Sequence, residues 1–301
     1  MTVSPPKQNS SFINTWWYAI RPHTLGASIA PLIIACGALI AEEEFKALEF
    51  FLCLAVALFA QIASNIANDY FDYKGGKDTD KRVGFDRLLT KGVVTPRQML
   101  VALTLSVFFC TLAGALLLWL KGWIVLVIGI ITLAGIFAYS TGPFPLSHMG
   151  LGDLAVVLFF GLIPVLGTYY VIAGVPPLYL FPLALGIGVW EANILVVNNY
   201  RDYYEDLKSG KRTLVARIGQ RSGPILYTLN AFIALFTFIL GLYIEGSSIG
   251  AIITSILLVA IYFLCITAMY KLKGRRLNGL LKLTGKVAVL TSVLVFLSLL
   301  F

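Results

Sequence analysis

Nine apolar segments, each long enough to cross a bilayer as a helix, occupy most of the 301-residue chain. A membrane-spanning helix needs about 20 mostly apolar residues. Only 13% of the residues are charged, against about 25% in a typical soluble domain. The sequence therefore predicts an all-α, polytopic membrane bundle of nine transmembrane helices, and it excludes a soluble enzyme, a disordered chain and a nucleic-acid-binding protein. The predicted spans are 24–41, 46–68, 99–120, 122–140, 151–174, 178–200, 224–244, 247–270 and 283–301.

The placement of lysine and arginine predicts the orientation of these spans. If the N-terminus is cytoplasmic and the spans alternate, only Lys46 and Lys121 among the basic residues fall on the opposite side of the membrane. Glu245 and the glutamates at 42–44 fall on that opposite side as well. Since basic residues concentrate in cytoplasmic loops, we expect a cytoplasmic N-terminus and a single transmembrane domain over residues 1–301.

A short motif occurs twice at a spacing of 130 residues. Residues 68–72 read Asn-Asp-Tyr-Phe-Asp and residues 198–202 read Asn-Asn-Tyr-Arg-Asp, at the ends of the second and sixth predicted spans. An offset of four spans places both copies on the same side of the membrane. The pattern predicts two four-helix repeats followed by a ninth helix.

Polar side chains recur at helical spacing along the same two spans. Residues three, four and seven apart share one face of a helix, and a carboxylate facing lipid near mid-bilayer costs about 2.5–3.5 kcal/mol. We expect the two stripes to face each other or a water-filled cavity; the alternative is a pair of interhelical hydrogen-bond seams. The stripes are Gln61, Asn65, Asn68 and Asp72 on the second span and Glu191, Asn198, Asp202 and Asp206 on the sixth.

Carboxylates from two helices, supported by amides, suit magnesium, which takes one or two carboxylates together with waters and substrate phosphate. Nearby basic residues would then bind phosphate oxygens, although simple ion pairing with the carboxylates and the positive-inside rule are alternative explanations for them. The chemistry indicated is Mg-assisted departure of a diphosphate at a membrane surface. These basic residues are Lys77, Arg82, Arg87, Lys91, Arg201, Lys211, Arg212 and Arg217.

The chain resembles the UbiA superfamily of intramembrane prenyltransferases over almost its whole length, and within it the branch that acts on 1,4-dihydroxy-2-naphthoate. One departure favours that branch: Gly76 stands where the wider pattern N-x-x-x-D-x-x-x-D has its last aspartate, and Asp78 follows two residues later. The resemblance is carried by residues 21–25 (RPHTL), 68–78 (NDYFDYKGGKD), 90–92 (TKG) with Pro96, 150–153 (GLGD), 198–202 (NNYRD) with Asp206, 210–214 (GKRTL) and 217–219 (RIG).

The resemblance implies Mg-dependent transfer of a polyprenyl or phytyl group from its diphosphate to 1,4-dihydroxy-2-naphthoate, with decarboxylation, in quinone biosynthesis. The enzyme would be an integral protein of the plasma membrane or a thylakoid-type membrane, with cytoplasmic loops 69–98 and 201–223 capping the active site. Homogentisate or 4-hydroxybenzoate is the alternative acceptor. An ion-coupled transporter is a remote alternative, which predicts charges near mid-bilayer in broken helices.

The same resemblance assigns site residues. Tyr139 would face the allylic cation with its ring, or else be an interfacial tyrosine. Asp153 and Glu191 would meet the aromatic acceptor or take a proton, although a structural acid explains Glu191 nearly as well. The implied metal ligands are Asn68, Asp72, Asp78, Asp202 and Asp206. The implied substrate-binding residues are Arg21, Asn68, Lys77, Lys91, Arg201, Lys211 and Arg217. The implied catalytic residues are Asp72, Asp202, Tyr139, Asp153 and Glu191.

Overall fold

The computed structural model describes residues 11–76, 87–141, 145–246 and 249–301. Within these residues the chain is mostly helical; eight helices are long and apolar enough to cross a membrane, and the shorter apolar helix Ile124–Ser140 corresponds to the fourth predicted span. In chain order the helices are α1 Phe12–Ile20, α2 Pro22–Ala41, α3 Ala47–Lys74, α4 Pro96–Lys121, α5 Ile124–Ser140, α6 Gly152–Ala173, α7 Leu180–Arg201, α8 Tyr203–Lys208, α9 Leu214–Ile218, α10 Ser222–Glu245, α11 Ile249–Lys271 and α12 Leu277–Leu300.

Two helices extend beyond the predicted membrane spans. Helix α3 runs to Lys74, six residues past the predicted end of its span, which confirms the helix end near Lys74 that the pair Gly75-Gly76 predicts. It ends where Gly75 and Gly76 follow and Gly76 adopts a left-handed backbone, which a residue without Cβ does readily. Helix α12 begins at Leu277, six residues before the predicted start of the ninth span. In both places the additional residues contain no proline, and the helix continues through them.

The segment before the first predicted span forms an amphipathic helix. Ser11 caps α1 by accepting a hydrogen bond from the backbone N–H of Asn14. Phe12, Ile13 and Trp17 are exposed on it. Helix α1 therefore presents aromatic and aliphatic side chains of the kind that lie in a membrane interface.

The long helices pack in pairs that match the predicted repeat. Helix α3 packs along α4, and α7 packs along α10, so in each half the helix with the Asn-containing motif lies against the helix that follows it. Helix α2 packs along α12, while α6 lies between α2 and α7. Helices α2, α3, α5, α6, α7 and α12 together surround a central space.

Helices α6 and α7 approach each other at backbone distance. The middle of α6, Leu158–Gly167, has π-helical geometry around Pro164. A Cβ on Gly161 would lie 2.5 Å from the carbonyl oxygen of Ala184, and one on Gly188 would lie 2.6 Å from that of Val157. Only glycine fits at these two positions, so the pair sets how closely α6 lies against the motif-bearing helix.

The ends of the bundle carry different charges. At the end opposite the two motifs, Lys46 and Lys121 both donate to the carbonyl oxygen of Ile172, and Lys121 pairs with Glu49 at 3.2 Å. The Tyr179 hydroxyl donates to Glu42 there at 3.0 Å. The connections at 42–46, 121–123 and 174–179 therefore lie together at one end of the bundle, as the alternating spans require.

Candidate active site

The two polar stripes line one cavity near the end of the bundle where α3 and α7 terminate. Helix α3 contributes Gln61, Asn65 and Asn68, and α7 contributes Glu191 and Asn198. Asp202, Asp206, Lys211 and Thr213, which follow α7, close the same cavity, together with Arg21 and Arg87. We call this space the polar cavity; it combines carboxylates, amides and cations in one place.

Asp72 lies behind the residues that line this cavity and is almost fully buried, with 1% of its side chain exposed. Its Oδ2 accepts from Arg87 Nη2 at 3.1 Å and from Lys211 Nζ at 3.0 Å. Its Oδ1 lies 3.6 Å from Nε2 of His148. Three basic side chains from separate segments therefore meet at one carboxylate of α3.

Asp69, one turn before Asp72, extends this charge network. It accepts from both Arg21 and Arg87, so Arg87 bridges two carboxylates of α3. Arg21 joins α1 to α2 with a left-handed backbone (φ +57°), which is unusual for a residue with a side chain. The position of Arg21 thus couples the N-terminal helix to the site.

Local packing explains how Arg87 reaches α3. Leu88 and Leu89, directly after it, are buried against Ala63 and Ile66 of α3. Thr95 then begins α4 with a capping box formed with Gln98. Residues 87–95 are thus anchored at the point where the Arg87 guanidinium meets α3.

Two loops are joined to bring His148 and Lys211 together. The backbone N–H of Arg212 donates to the carbonyl oxygen of His148 at 3.0 Å. Arg217 donates from Nε to the carbonyl oxygen of Arg212 at 3.1 Å and packs against Gly150. Arg217 is exposed and braces these loops, and its substrate-binding role stays a prediction.

The second motif holds its aspartates differently. Arg201 donates to both oxygens of Asp202, at 2.7 and 2.6 Å, and also to Asn278 Oδ1 on α12. Asp206 accepts from the Thr213 hydroxyl at 3.3 Å. Both aspartates line the polar cavity, whereas Asp72 sits behind Arg87, His148 and Lys211, which do line it.

The amides of α3 are fixed by neighbouring helices. Asn65 donates to the Thr24 hydroxyl at 2.8 Å and to the carbonyl oxygen of Ile20. Asn68 donates to Ser140 Oγ at 3.2 Å. Their amide groups use N–H donors in these contacts, so the amide oxygen of Asn68 keeps acceptor capacity for a cation.

The donor set fits a divalent ion that arrives with a phosphate ligand. In the described part of the chain, no three acidic, histidine or cysteine side chains converge as a preformed metal cage. Magnesium, however, uses only one or two carboxylates plus substrate phosphate, and Asp202, Asp206 and Asn68 offer hard oxygen ligands in the cavity. Lys77 and Asp78, predicted to bind substrate and metal, lie outside the described residues.

A second, largely apolar cavity continues from the polar one. Gln61, Ser64, Tyr139, Val156 and Phe160 line both, so they form the neck between them. The apolar cavity runs down between α3, α5 and α6. Its far part is lined by the buried cluster Leu32, Cys53, Leu117, Val125 and Val171.

The remaining predicted site residues lie in different environments. Tyr139 stands at the neck between the two cavities. Lys91 is exposed and is not among the residues that line the polar cavity. Glu191 is 2% exposed, and neither its carboxylate oxygens nor those of Asp153 have a hydrogen-bond partner in the described structure. Of these two acids, Glu191 lines the polar cavity and Asp153 does not.

Two members of the charge network, Asp69 and His148, are not predicted as site residues by the sequence patterns. Asp69 could have been predicted from its position one turn before Asp72 on the same helix. His148 had only its position just before the Gly150–Asp153 segment, because its contact with Asp72 depends on tertiary packing.

Comparison with known proteins agrees with this architecture. A family model described as the UbiA prenyltransferase family matches residues 29–298. The chain is 37% identical to a 1,4-dihydroxy-2-naphthoate octaprenyltransferase of Mycobacterium tuberculosis, over 79% of this chain and 81% of that protein. It is 32% identical to the protein of the same name from Haemophilus influenzae, over 75% of this chain and 76% of that one.

Solved structures share the fold at low sequence identity. A UbiA homolog from Archaeoglobus fulgidus bound to DMAPP and Mg²⁺ superposes with a TM-score of 0.68 at 15% identity, covering 94% of this chain and 98% of that one. An apo UbiA homolog from Aeropyrum pernix superposes with a TM-score of 0.70 at 16% identity, covering 91% of this chain and 96% of that one. With the family model spanning nearly the whole chain, the protein belongs to the UbiA prenyltransferase family.

Proposed function

We propose that this protein transfers a polyprenyl group from its diphosphate to 1,4-dihydroxy-2-naphthoate, with loss of carbon dioxide, in quinone biosynthesis. The observation that carries the proposal is the continuity of two cavities: a polar one with carboxylates and cations, and an apolar one that begins at Tyr139. A polyprenyl diphosphate has the same two parts. Relatives named as naphthoate octaprenyltransferases, at 27–37% identity, support the choice of acceptor.

The diphosphate binds in the polar cavity. Asp202, Asp206 and Asn68 would hold Mg²⁺ there, with Asp72 as a further ligand once its cations turn to the substrate. Magnesium bound there would neutralise the charge that develops on the leaving diphosphate. Arg21, Arg87, Arg201 and Lys211 donate hydrogen bonds to the phosphate oxygens, and they need no reorganisation of solvent as the charge develops. The ion pairs seen at Asp69, Asp72 and Asp202 keep these cations in place until the substrate arrives.

The prenyl tail lies in the apolar cavity. Along α5 that cavity extends from Tyr139 to Val125, about 21 Å of helix. An isoprenoid unit adds four carbon–carbon bonds of about 1.5 Å, or about 5 Å when extended, so the cavity encloses about four units. A longer tail must leave the bundle between helices and continue in lipid. Tyr139, at the neck, places its ring near the allylic carbon, where a π-face stabilises positive charge.

The protein would lie in the plasma membrane or a thylakoid-type membrane with its site on the cytoplasmic face. The basic residues that surround the polar cavity support this orientation, since cytoplasmic ends of spans are rich in lysine and arginine. The acidic and less basic end, with Glu42 and Glu245, would face outwards.

Turnover of radiolabelled prenyl diphosphate with a panel of aromatic acids in detergent tests the proposal. We expect 1,4-dihydroxy-2-naphthoate to be prenylated, with release of one carbon dioxide for each transfer. Preferential transfer to homogentisate or 4-hydroxybenzoate would show that this acid, and not 1,4-dihydroxy-2-naphthoate, is the acceptor. Absence of transfer to every acid, with intact donor recovered, would refute the prenyltransferase assignment.

A further inference from the structure

A lysine interrupts the lipid-facing side of α12. The other members of this outward stripe are exposed and follow one another three, four or seven residues apart: Leu283, Leu290, Val293 and Leu297. Lys286 lies in the stripe between Leu283 and Leu290 and is itself exposed. It is not among the residues that line the polar cavity. Its ammonium group therefore faces the membrane and not the proposed diphosphate site.

The depth of Lys286 follows from where α12 begins. Asn278, in the first turn of α12, accepts a hydrogen bond from Arg201 at the end of α7, so α12 begins at the end of the bundle that carries the two motifs. Lys286 lies about 14 Å along the helix from Leu277. The whole helix is about 36 Å long, against about 30 Å of hydrocarbon. Acyl chains therefore flank Lys286, and its flexible stem carries the ammonium group towards the lipid headgroups.

The connection between α11 and α12 adds positive charge at the same end of the helix. Four exposed basic residues lie in or beside it: Lys271, Lys273, Arg275 and Arg276. The chain contains no aspartate or glutamate after Glu245. Within the described residues, no carboxylate forms an ion pair with these four residues or with Lys286. The surface is thus uniformly basic and suits an anion.

An anion that carries its own acyl chains matches both features. The preference of cytoplasmic loops for basic residues explains a basic connection, but Lys286 lies inside the predicted span 283–301, where a soluble anion does not reach. Basic clusters next to the end of a span attract anionic lipids. We propose that Lys286 and the connection 271–276 bind the headgroup of an anionic phospholipid, with its acyl chains along the exposed stripe of α12.

This headgroup site lies directly beside the second motif. Lys273 donates to the hydroxyl oxygen of Tyr200, and Asn278 Oδ1 accepts from Arg201 at 2.6 Å. Tyr200 and Arg201 immediately precede Asp202 in the chain. A lipid that holds the connection therefore also holds the end of α7 in place.

Native mass spectrometry of the full-length protein in detergent, with added phosphatidylglycerol or phosphatidylcholine, tests the proposal. One cation near a membrane surface contributes about 5-fold in affinity for an anionic lipid. We expect phosphatidylglycerol to bind more tightly than phosphatidylcholine, and Lys286→Gln to weaken its binding about 5-fold. Lys286→Arg should keep the affinity, and Arg275→Gln combined with Arg276→Gln should weaken it about 25-fold. Arg97→Gln, which removes an exposed cation at the start of α4, is the control with wild-type affinity.

Two further measurements separate a lipid site from a structural role and from a site for soluble anions. Phosphatidylglycerol should raise the unfolding temperature of wild type more than that of Lys286→Gln, because a ligand of the folded state stabilises it. In phosphatidylcholine alone the two proteins should unfold at the same temperature. Glycerol phosphate, which has the headgroup chemistry without acyl chains, should bind at least about 100-fold more weakly than phosphatidylglycerol.

The proposal is overturned if Lys286→Gln and Arg97→Gln weaken phosphatidylglycerol binding equally, because the attraction would then come from the overall charge. It is overturned as well if glycerol phosphate binds as tightly as the lipid. If Lys286→Gln loses affinity for geranylgeranyl diphosphate and keeps it for phosphatidylglycerol, the surface binds the prenyl donor and not a phospholipid. None of these outcomes depends on whether the protein transfers a prenyl group.

Discussion

Arg87 bridges Asp69 and Asp72, and replacing it tests whether this network organises the site. The exposed fractions of the three side chains are 4%, 6% and 1%, so solvent screens the pairs little. Removing one partner of a buried ion pair costs about 3–5 kcal/mol because a buried charge remains unpaired. Here Arg21 still serves Asp69, and Lys211 and His148 still serve Asp72. We therefore expect Arg87→Ala to lower the free energy of unfolding by about 3 kcal/mol, the lower end of that range. Arg87→Lys, which cannot reach both carboxylates, should lower it by about 1.5 kcal/mol, the loss of one charged hydrogen bond.

Unfolding in detergent can be followed with a thiol-reactive dye, because Cys53, Cys110 and Cys265 are buried and free. Arg97→Ala, an exposed arginine at the start of α4, is the matched control and should change stability by less than about 0.5 kcal/mol. The cost of Arg87→Ala should shrink when Asp69 and Asp72 are both asparagine. An equal cost in that background, or a cost no larger than that of Arg97→Ala, would refute the reasoning.

Three further outcomes follow from the fold and the neck. Gly188→Ala should destabilise the protein by about 1–3 kcal/mol by pushing α6 from α7, measured by the same unfolding assay against Gly279→Ala, whose Cβ meets open space; equal stability of the two variants would contradict the close contact. Tyr139→Phe should keep most of the turnover, whereas the turnover of Tyr139→Leu should fall about 30-fold, which corresponds to the loss of a desolvated cation–π contact of about 2 kcal/mol. Similar turnover rates in the two variants would show that the aromatic ring has no role. Ser209→Cys should react with an impermeant thiol reagent only from the cytoplasmic side and Glu43→Cys only from the other, and labelling from one side for both would break the assigned orientation.

The spans were predictable because each depends only on local composition. Twenty apolar residues without charge have one stable structure in a bilayer, a helix. The prediction that Asn68 and Asp202 lie on one side of the membrane needed only the parity of the intervening spans. Helix ends depend on different signals: the apolar span ends near residue 68, but the pair Gly75-Gly76 predicts a helix end near Lys74, where α3 does end.

The sequence predicts which kinds of charged residue lie near the site, but it does not predict which of them form ion pairs with one another. The positive charges were expected near phosphate, and Arg21, Arg201 and Lys211 do line the polar cavity. Lys91 and Arg217 carry the same charge yet are exposed, because the loops that hold them turn outwards. His148 lies near Asp72 on a loop that a backbone hydrogen bond joins to Arg212. Contacts of that kind depend on how two distant loops pack, which no local pattern records.

Mg-dependent turnover in the two motif variants tests the central claim most directly, namely that the ends of α3 and α7 act together on one diphosphate. Excess chelator should abolish prenyl transfer, and added magnesium should restore it. Asp72→Asn and Asp202→Asn should each lower kcat at least about 100-fold, the loss of one strong electrostatic stabiliser. The double variant should be little worse than either, since groups that act as a unit are not additive. Full activity in excess chelator, or wild-type turnover in either single variant, would contradict the account.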